Sequence, residues 1–319
     1  MTENAYLSQI LTTRKIKRSI HLLLLLLLLC SSRTVVGAVF DHLVKAEGKD
    51  SNHSMRNIDF IYVLNLDHRP EKFKMCTDQL NAYDIYPYRF SAIYGKDLPI
   101  EVINDVGVKC QPGMNTNLMA TYYYADKDGN IRHEHEKFGQ KGKSYFCHCM
   151  GLGPVAIALS HLSILKDAYD SGYQTVWIME DDVQLIGNPR RLSKKIAQLD
   201  ALTKKKWDIL FTDQDTKNQR GDYVPCRGFA QRPDFTPKDP DKFAKRLKIG
   251  KNFMKVGARY GAYSFIIRRS GIKKILDFYA THNIFLPYDM ENILPADIEL
   301  YTVVEDIVST IPNALSDNN

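Results

Sequence analysis

From residue 58 onwards, apolar and polar positions repeat with two periods in turn, which predicts strands interleaved with helices. Ile58-Asp59-Phe60-Ile61-Tyr62-Val63-Leu64-Asn65-Leu66 is too continuously apolar for an edge and predicts a central strand of a parallel sheet. Asp67-His68-Arg69-Pro70 turns into a helix expected to run to about Ala82, with Pro70 suited to its first turn. A second strand is expected from Tyr88 to Ile93, followed by Tyr94-Gly95. Strand, helix and strand make a βαβ unit, and sheets built this way bind ligands beyond the carboxyl ends of their strands. Gly153 to about Tyr169 has helical apolar spacing, with Ser160-His161 as its polar pair, and predicts a helix packed on the sheet.

The next apolar run, Thr175-Val176-Trp177-Ile178-Met179, reads as a buried strand and ends in Glu180-Asp181-Asp182. Adjacent carboxylates repel one another unless something positive sits among them. A hard divalent cation such as Mg²⁺ or Mn²⁺ suits oxygen ligands of this kind. Residues two apart in extended chain point the same way, so Glu180 and Asp182 are expected to share an ion while Asp181 faces the other side. The structural alternative is a polar strand end opening into a loop. A second group of the same kind, Asp213-Gln214-Asp215, closes the predicted strand Trp207–Thr212 and competes as a metal site.

Arg190 to Trp207 is expected to be a solvated basic helix, and 221–257 a polar, Pro-punctuated flap. A strand around Gly261–Phe265, a helix from Ser270 to Ala280, the segment Leu286-Pro287-Tyr288-Asp289 and a last strand at Ile298–Val304 follow. Residues from about Ile100 to Cys149 show no clear period and read as a long surface excursion, functional or disordered. No GxGxxG is present, which weakens a dinucleotide reading and leaves open a nucleotide held by Asn65, Asp67 and Arg69.

Composition is that of an ordinary globular chain of 319 residues, long enough for one large α/β domain or two small ones. The net charge of +6 is uneven, because residues 1–38 alone carry +4, and the near-neutral remainder excludes a nucleic-acid partner. That N-terminus has the basic run Arg14–Arg18, the leucines Leu22–Leu29 and a small-residue site at Val36-Gly37-Ala38. It predicts a signal peptide or membrane anchor over 1–38, followed by a flexible spacer over 39–57 and one domain over 58–319. With Cys30 in the leader, five cysteines remain, an odd number whose pairing the sequence does not give. His133, His135, Cys147 and Cys149 have residue types that suit zinc, but neither HxH nor CxC is the usual structural spacing.

Several blocks, in order, carry a resemblance. They are Ile61 to Lys72 with Phe90-Ser91-Ala92-Ile93-Tyr94-Gly95, then Ala158-Leu159-Ser160-His161-Leu162, Ile178 to Val183, Gly261-Ala262-Tyr263 through Ser270-Gly271, and Pro287-Tyr288-Asp289. Together they resemble glycosyltransferase family 25, lipopolysaccharide sugar transferases and collagen β-galactosyltransferases, over about residues 58–318. The resemblance implies an α/β, GT-A-like, Rossmann-type domain with a mainly parallel sheet that uses a UDP-sugar donor. It assigns Glu180, Asp181 and Asp182 to Mn²⁺ or Mg²⁺, and Asn65, Asp67, Arg69, Ala92 and Gly95 to the nucleotide. Inversion at the sugar needs one base to take the acceptor proton; Asp289 is the first candidate, with His161 and Asp213 behind it. The implied partners are the nucleotide sugar and a glycan, lipid-linked saccharide or protein acceptor. The leader implies a membrane-associated or secretory location, facing the cytoplasm in a bacterium or the ER/Golgi lumen in a eukaryote. A catalytically silent binding protein and a two-metal phosphoesterase are the alternatives.

Overall fold

The computed structural model describes residues 38–311; the leader, apart from its last residue, and the chain end from 312 lie outside the described residues. The predicted βαβ unit is present as β1 (Phe60–Asn65), α1 (Pro70–Asn81) and β2 (Tyr88–Ser91), with β1 and β2 parallel. Helix α2 (Ile100–Val106) then leads into strands β3 (Val108–Lys109), β4 (Met119–Ala125), β5 (Ile131–Lys137) and β6 (Ser144–Cys147). The expected loop over 100–149 is therefore a small antiparallel sheet in the order β3-β6-β4-β5. Helix α3 (Leu152–Asp170) returns the chain to the main sheet.

There follow β7 (Thr175–Glu180), β8 (Val183–Leu185), α4 (Arg191–Thr203) and β9 (Ile209–Phe211). The expected flap over 221–257 holds a hairpin of β10 (Arg246–Ile249) and β11 (Phe253–Val256), a second correction to the loop reading. The chain continues through β12 (Ser264–Arg268), α5 (Arg269–Thr281), the single turn α6 (Tyr288–Glu291), β13 (Leu300–Val303) and β14 (Val308–Thr310). β14, beyond the strand expected to be last, pairs antiparallel with β8.

The eight-stranded sheet runs β10-β11-β13-β9-β12-β7-β1-β2. β7, β1 and β2 are parallel, as are β9 and β13, but β12 lies antiparallel between β7 and β9. The architecture is α/β with a large mixed sheet, compatible with a Rossmann-like fold, and less parallel than expected.

Strand alternation divides the core. Phe60, Tyr62, Leu64, Val176 and Ile178 meet Leu159, Leu162 and Leu165 of α3 and Ile272 and Ile275 of α5 on one face. Ile61, Val63, Trp177 and Met179 meet Leu80 of α1 and Leu192, Ile196 and Leu199 of α4 on the other. Both faces of β1 and β7 are thus covered, which explains their unbroken apolar runs. Close approach elsewhere demands glycine. A Cβ on Gly257 would lie 1.7 Å from the Lys242 carbonyl oxygen.

Residues 39–57, expected to be a flexible spacer, pack against the domain. Val39 is fully buried, the Val44 N–H donates to Ser163 Oγ at 3.0 Å, and Lys49 pairs with Asp167 at 2.7 Å. Short polar residues hid these anchors in the sequence. Among the described residues, no helix is long and apolar enough to cross a membrane.

A buried charged network holds the α5–α6 connection. Arg232, with no exposed side-chain surface, bridges Glu291 and Asp234 and donates to the Asn283 carbonyl. Glu291 in turn accepts the N–H groups of Phe285 and Leu286, both at 2.9 Å, and the Tyr279 hydroxyl at 2.7 Å. Burial pushes the Asp234 carboxyl up, but His282 at 3.0 Å and Arg232 outweigh it and hold the group down at about 2.

An acid lowered on folding stabilises the native state above its ordinary value near 3.8, and that contribution disappears as pH falls towards 2. Asp234→Asn should therefore cost on the order of 2 kcal/mol at pH 7 in urea titrations, with the difference from wild type closing between pH 4 and pH 2. A difference that stays constant over that window would show that Asp234 acts through shape rather than charge.

Candidate active site

Parallel pairing aligns the carboxyl ends of three strands. Leu64 lies opposite Glu180 across β1 and β7, and Asn65 lies opposite Ser91 across β1 and β2. Beyond these ends opens a cleft of about 600 Å³. Asn65, Lys72, Ala92, Tyr94, Gly95 and Ser160 line it, together with all three acids, Glu180, Asp181 and Asp182.

Strand β7 stops at Glu180, and Asp181-Asp182 form a turn before β8. The expected alternation does not reach them, so Asp181 borders the same cleft instead of facing away. Asn65 fixes it: its Nδ2 donates to Asp181 Oδ2 at 2.6 Å and to the Arg69 carbonyl at 2.8 Å, while Arg89 Nε donates to its Oδ1 at 2.7 Å. Glu180 is held on the other side by His161 Nε2 at 3.0 Å. His161 is fully buried and stacks on Tyr288, ring centroids 4.3 Å apart. It thus orients Glu180 from beneath and lines neither this cleft nor the neighbouring one described below.

The three acids sit in unequal surroundings. Burial raises the Asp181 carboxyl, opposed by the Asn65 bond. Burial first, then the charges of Glu180 and Asp181, push Asp182 up to about 7. Asp182 Oδ1 is buried without a hydrogen-bond partner. An unpartnered carboxylate oxygen among like charges fits a divalent cation with oxygen ligands. The side chains stand apart, however, with Glu180 turned to His161 and Asp181 to Asn65. Among the described residues, no three His, Cys, Asp or Glu side chains form a ready-made metal cluster.

The other expected nucleotide residues divide. Ala92 and Gly95 line the cleft, and Gly95 is there because a Cβ would meet the Leu152 carbonyl oxygen at 2.6 Å. Asp67 and Arg69 are not among its lining residues. Asp67 accepts from Ser91 and Arg89, both at 2.8 Å, which hold its carboxyl below the usual range. Arg69 pairs with Glu71 at 2.6 Å. Sequence reasoning missed Lys72, in the first turn of α1, and Arg89. Ser160, noted only as polar, accepts the Ile93 N–H at 2.9 Å and so ties α3 to the cleft wall.

A second cleft, of about 570 Å³, shares Glu180 and Ile157 with the first and is bordered by Gly261, Tyr263, Tyr288 and Asp289. Asp289 Oδ2 accepts the Gly261 N–H at 2.7 Å, and burial raises its carboxyl above the ordinary value. Asp289 therefore lines the same cleft as Glu180. Asp213 does not. It is fully buried, paired with Arg259 and bonded by Tyr263 and by Ser309 at 2.9 Å. Asp215 is likewise buried and paired with Arg246. This second acidic strand end is neutralised internally by arginine, which removes it both as a base and as a rival metal site.

A family described as "Glycosyltransferase family 25 (LPS biosynthesis protein)" matches residues 58–291. The chain is 24% identical over 165 residues, 52% of its length, to a Mus musculus protein named "Inactive glycosyltransferase 25 family member 3". It is 24% identical over 156 residues, 48% of its length, to an Aedes aegypti "Glycosyltransferase 25 family member". These matches take in only 23% and 21% of the relatives' own lengths. With a family match over more than half of its residues, the chain belongs to glycosyltransferase family 25.

Proposed function

We propose that this protein is a metal-dependent, inverting hexosyltransferase of GT-A type. It transfers galactose or glucose from a UDP-sugar to a hydroxyl of a glycan, lipid-linked saccharide or protein. The observation that carries the reading is Asp182: a half-buried carboxylate whose Oδ1 is buried and unpartnered, preceded by two more acids, just beyond the carboxyl ends of the parallel strands β1 and β7. The leader pattern extends the proposal to a reaction at a membrane or in a secretory lumen.

In this reading Glu180, Asp181 and Asp182 hold Mn²⁺ or Mg²⁺, which supplies Lewis-acid neutralisation of the donor diphosphate. Asn65 keeps Asp181 in place, and the Ala92–Gly95 wall accommodates the nucleotide. Asp289 receives the proton of the acceptor hydroxyl, and its raised carboxyl makes it a stronger base than an exposed aspartate. His161 positions Glu180. The geometry favours Asp289 over His161 as the base, because His161 is already committed to Glu180 and sealed by Tyr288.

A second reading, a catalytically silent binding module, is favoured by the name of the mouse relative and by the splayed acids. The two readings part on donor binding. Calorimetry of UDP with Mn²⁺ should show micromolar affinity that falls at least tenfold in Asp182→Asn. No binding by the folded wild type would sink the transferase proposal. Asp182→Asn should also remove a metal-free instability. A carboxyl raised on folding costs stability as pH rises from its ordinary value near 3.8 through about 7, so wild type without metal should weaken across that window and the variant should not.

Asp289→Asn should lower kcat at least about 100-fold while leaving the Kd for UDP unchanged. Unaltered turnover in that variant would eliminate Asp289 as the base.

A further inference from the structure

Beside the first cleft lies a wider pocket of about 1290 Å³, sharing Tyr94, Gly95 and Gly153 with it and bordered by His133, His135, His148 and Cys149. None of the functional roles above uses its cysteine. Cys147, the last residue of β6, is 5% exposed, whereas Cys149 is open to solvent. Their Sγ atoms are 2.7 Å apart, well inside the contact distance of two unbonded sulfurs.

We propose that Cys147 and Cys149 form a redox-active dithiol, a thiol–disulfide exchange site on the pocket wall whose co-reactant is a small disulfide of the glutathione class. The backbone has already been bent for ring closure. The Cys147 N–H donates to the Phe285 carbonyl at 2.8 Å, and the Cys147 carbonyl accepts the Met150 N–H at 3.0 Å. These bonds fix the residues on either side, so the remaining approach falls to His148 and Cys149, both exposed. The division of labour follows from exposure. Cys149 is the attacking sulfur, because it is the one that solvent and a small disulfide can reach. Cys147, buried at the end of β6, is the resolving sulfur.

The exchange balances without any further reagent. The Cys149 thiolate attacks one sulfur of the small disulfide, forms a mixed disulfide and releases one thiolate. Cys147 then loses its proton and attacks Cys149 Sγ, closing the Cys147–Cys149 bond and releasing the second thiolate. The two cysteines lose two electrons, and the co-reactant is reduced to two thiols. Only one residue separates the partners, so the closed ring is short and open to solvent, properties of labile rather than structural disulfides.

The test uses the full chain equilibrated in glutathione buffers of stepped ratio, quenched in acid, alkylated and digested. At high oxidised glutathione, the tryptic peptide 144–166 should be two mass units lighter than the reduced form, without alkylation or a glutathione adduct. Excess reduced glutathione should restore two alkylatable thiols in that peptide. In Cys147→Ser, Cys149 should instead keep a glutathione adduct, since nothing resolves it. In reduced wild type, Cys149 should be alkylated at least tenfold faster than Cys147. A peptide that stays dithiol at every ratio, or a wild-type adduct as persistent as that of Cys147→Ser, would overturn the proposal. The measurement needs neither donor nor acceptor, so its outcome is independent of the transferase reading.

Discussion

Register between β1 and β7 puts Leu64 opposite Glu180, and through that pairing each polar group at the end of the sheet acquires its neighbour. Asn65 then stands beside Asp181, close enough to bond it at 2.6 Å, and His161 on α3 reaches Glu180 from below. A slip of one residue would turn Trp177 and Met179 to the α3 face and dissolve both contacts. Burial on both faces forbids the slip. The same apolar side chains that make the core therefore determine the placement of the acids.

Two acidic strand ends lie in this sheet, and the protein treats them in opposite ways. Asp213 and Asp215 are matched inside the fold by Arg259 and Arg246, and Tyr263 and Ser309 complete the hydrogen bonds of Asp213. Removing either arginine would strand a buried charge, at a typical cost of about 3–5 kcal/mol. Around Glu180, Asp181 and Asp182, His161 bonds Glu180 and Asn65 bonds Asp181, the Lys72 charge acts on Asp181 and Asp182 from the same cleft, and Asp182 Oδ1 is without a hydrogen-bond partner. In the first group the charges are paired inside the fold, although Asp215 Oδ1, like Asp182 Oδ1, is buried without a hydrogen-bond partner. The second keeps its acids open to a cleft, where Asp182 is held well above the usual carboxylate range by burial and by its neighbours' charge.

This distinction was not legible in the sequence, where the two groups read alike. It depends on Arg259 and Arg246, each more than thirty positions away, brought in by the connection that precedes β12 and by β10. What was legible is the doubly buried part of the sheet: β1, α1, β2, α3 and β7 appear within a few residues of their expected bounds, because continuous apolar runs have few other places to go. The excursion through β4 and β5 was missed for the opposite reason. β5 is Ile131-Arg132-His133-Glu134-His135-Glu136-Lys137, mostly exposed, and no apolar period marks it. Cross-strand pairs hold it instead, Glu134 with Tyr122 and Thr121 with His135 at 2.9 Å. At the site, Asn65, Ala92, Gly95 and the three acids came from the blocks that carry the resemblance. Lys72 lies in the same blocks but was given no role, and Arg89, which bonds Asn65 and Asp67 from beside the cleft, lies outside them, since a charged residue on a strand gives no signal of its partners.

The small sheet also enters and leaves the domain at nearly one point. The Ile284 N–H donates to the Val106 carbonyl at 2.8 Å, Gly107 bridges Ile284, and Cys147 bonds the adjacent Phe285. Neighbouring Cα atoms are only about 3.8 Å apart, so the forty residues between start and end at nearly one place, while Tyr123, Phe138 and Phe146 pack into the common core. Lengthening such a segment adds little closure entropy, since each doubling costs roughly 0.6 kcal/mol. Added length in the exposed β4–β5 hairpin would therefore be closed at little entropic cost, while the strand ends that hold the acids keep their register.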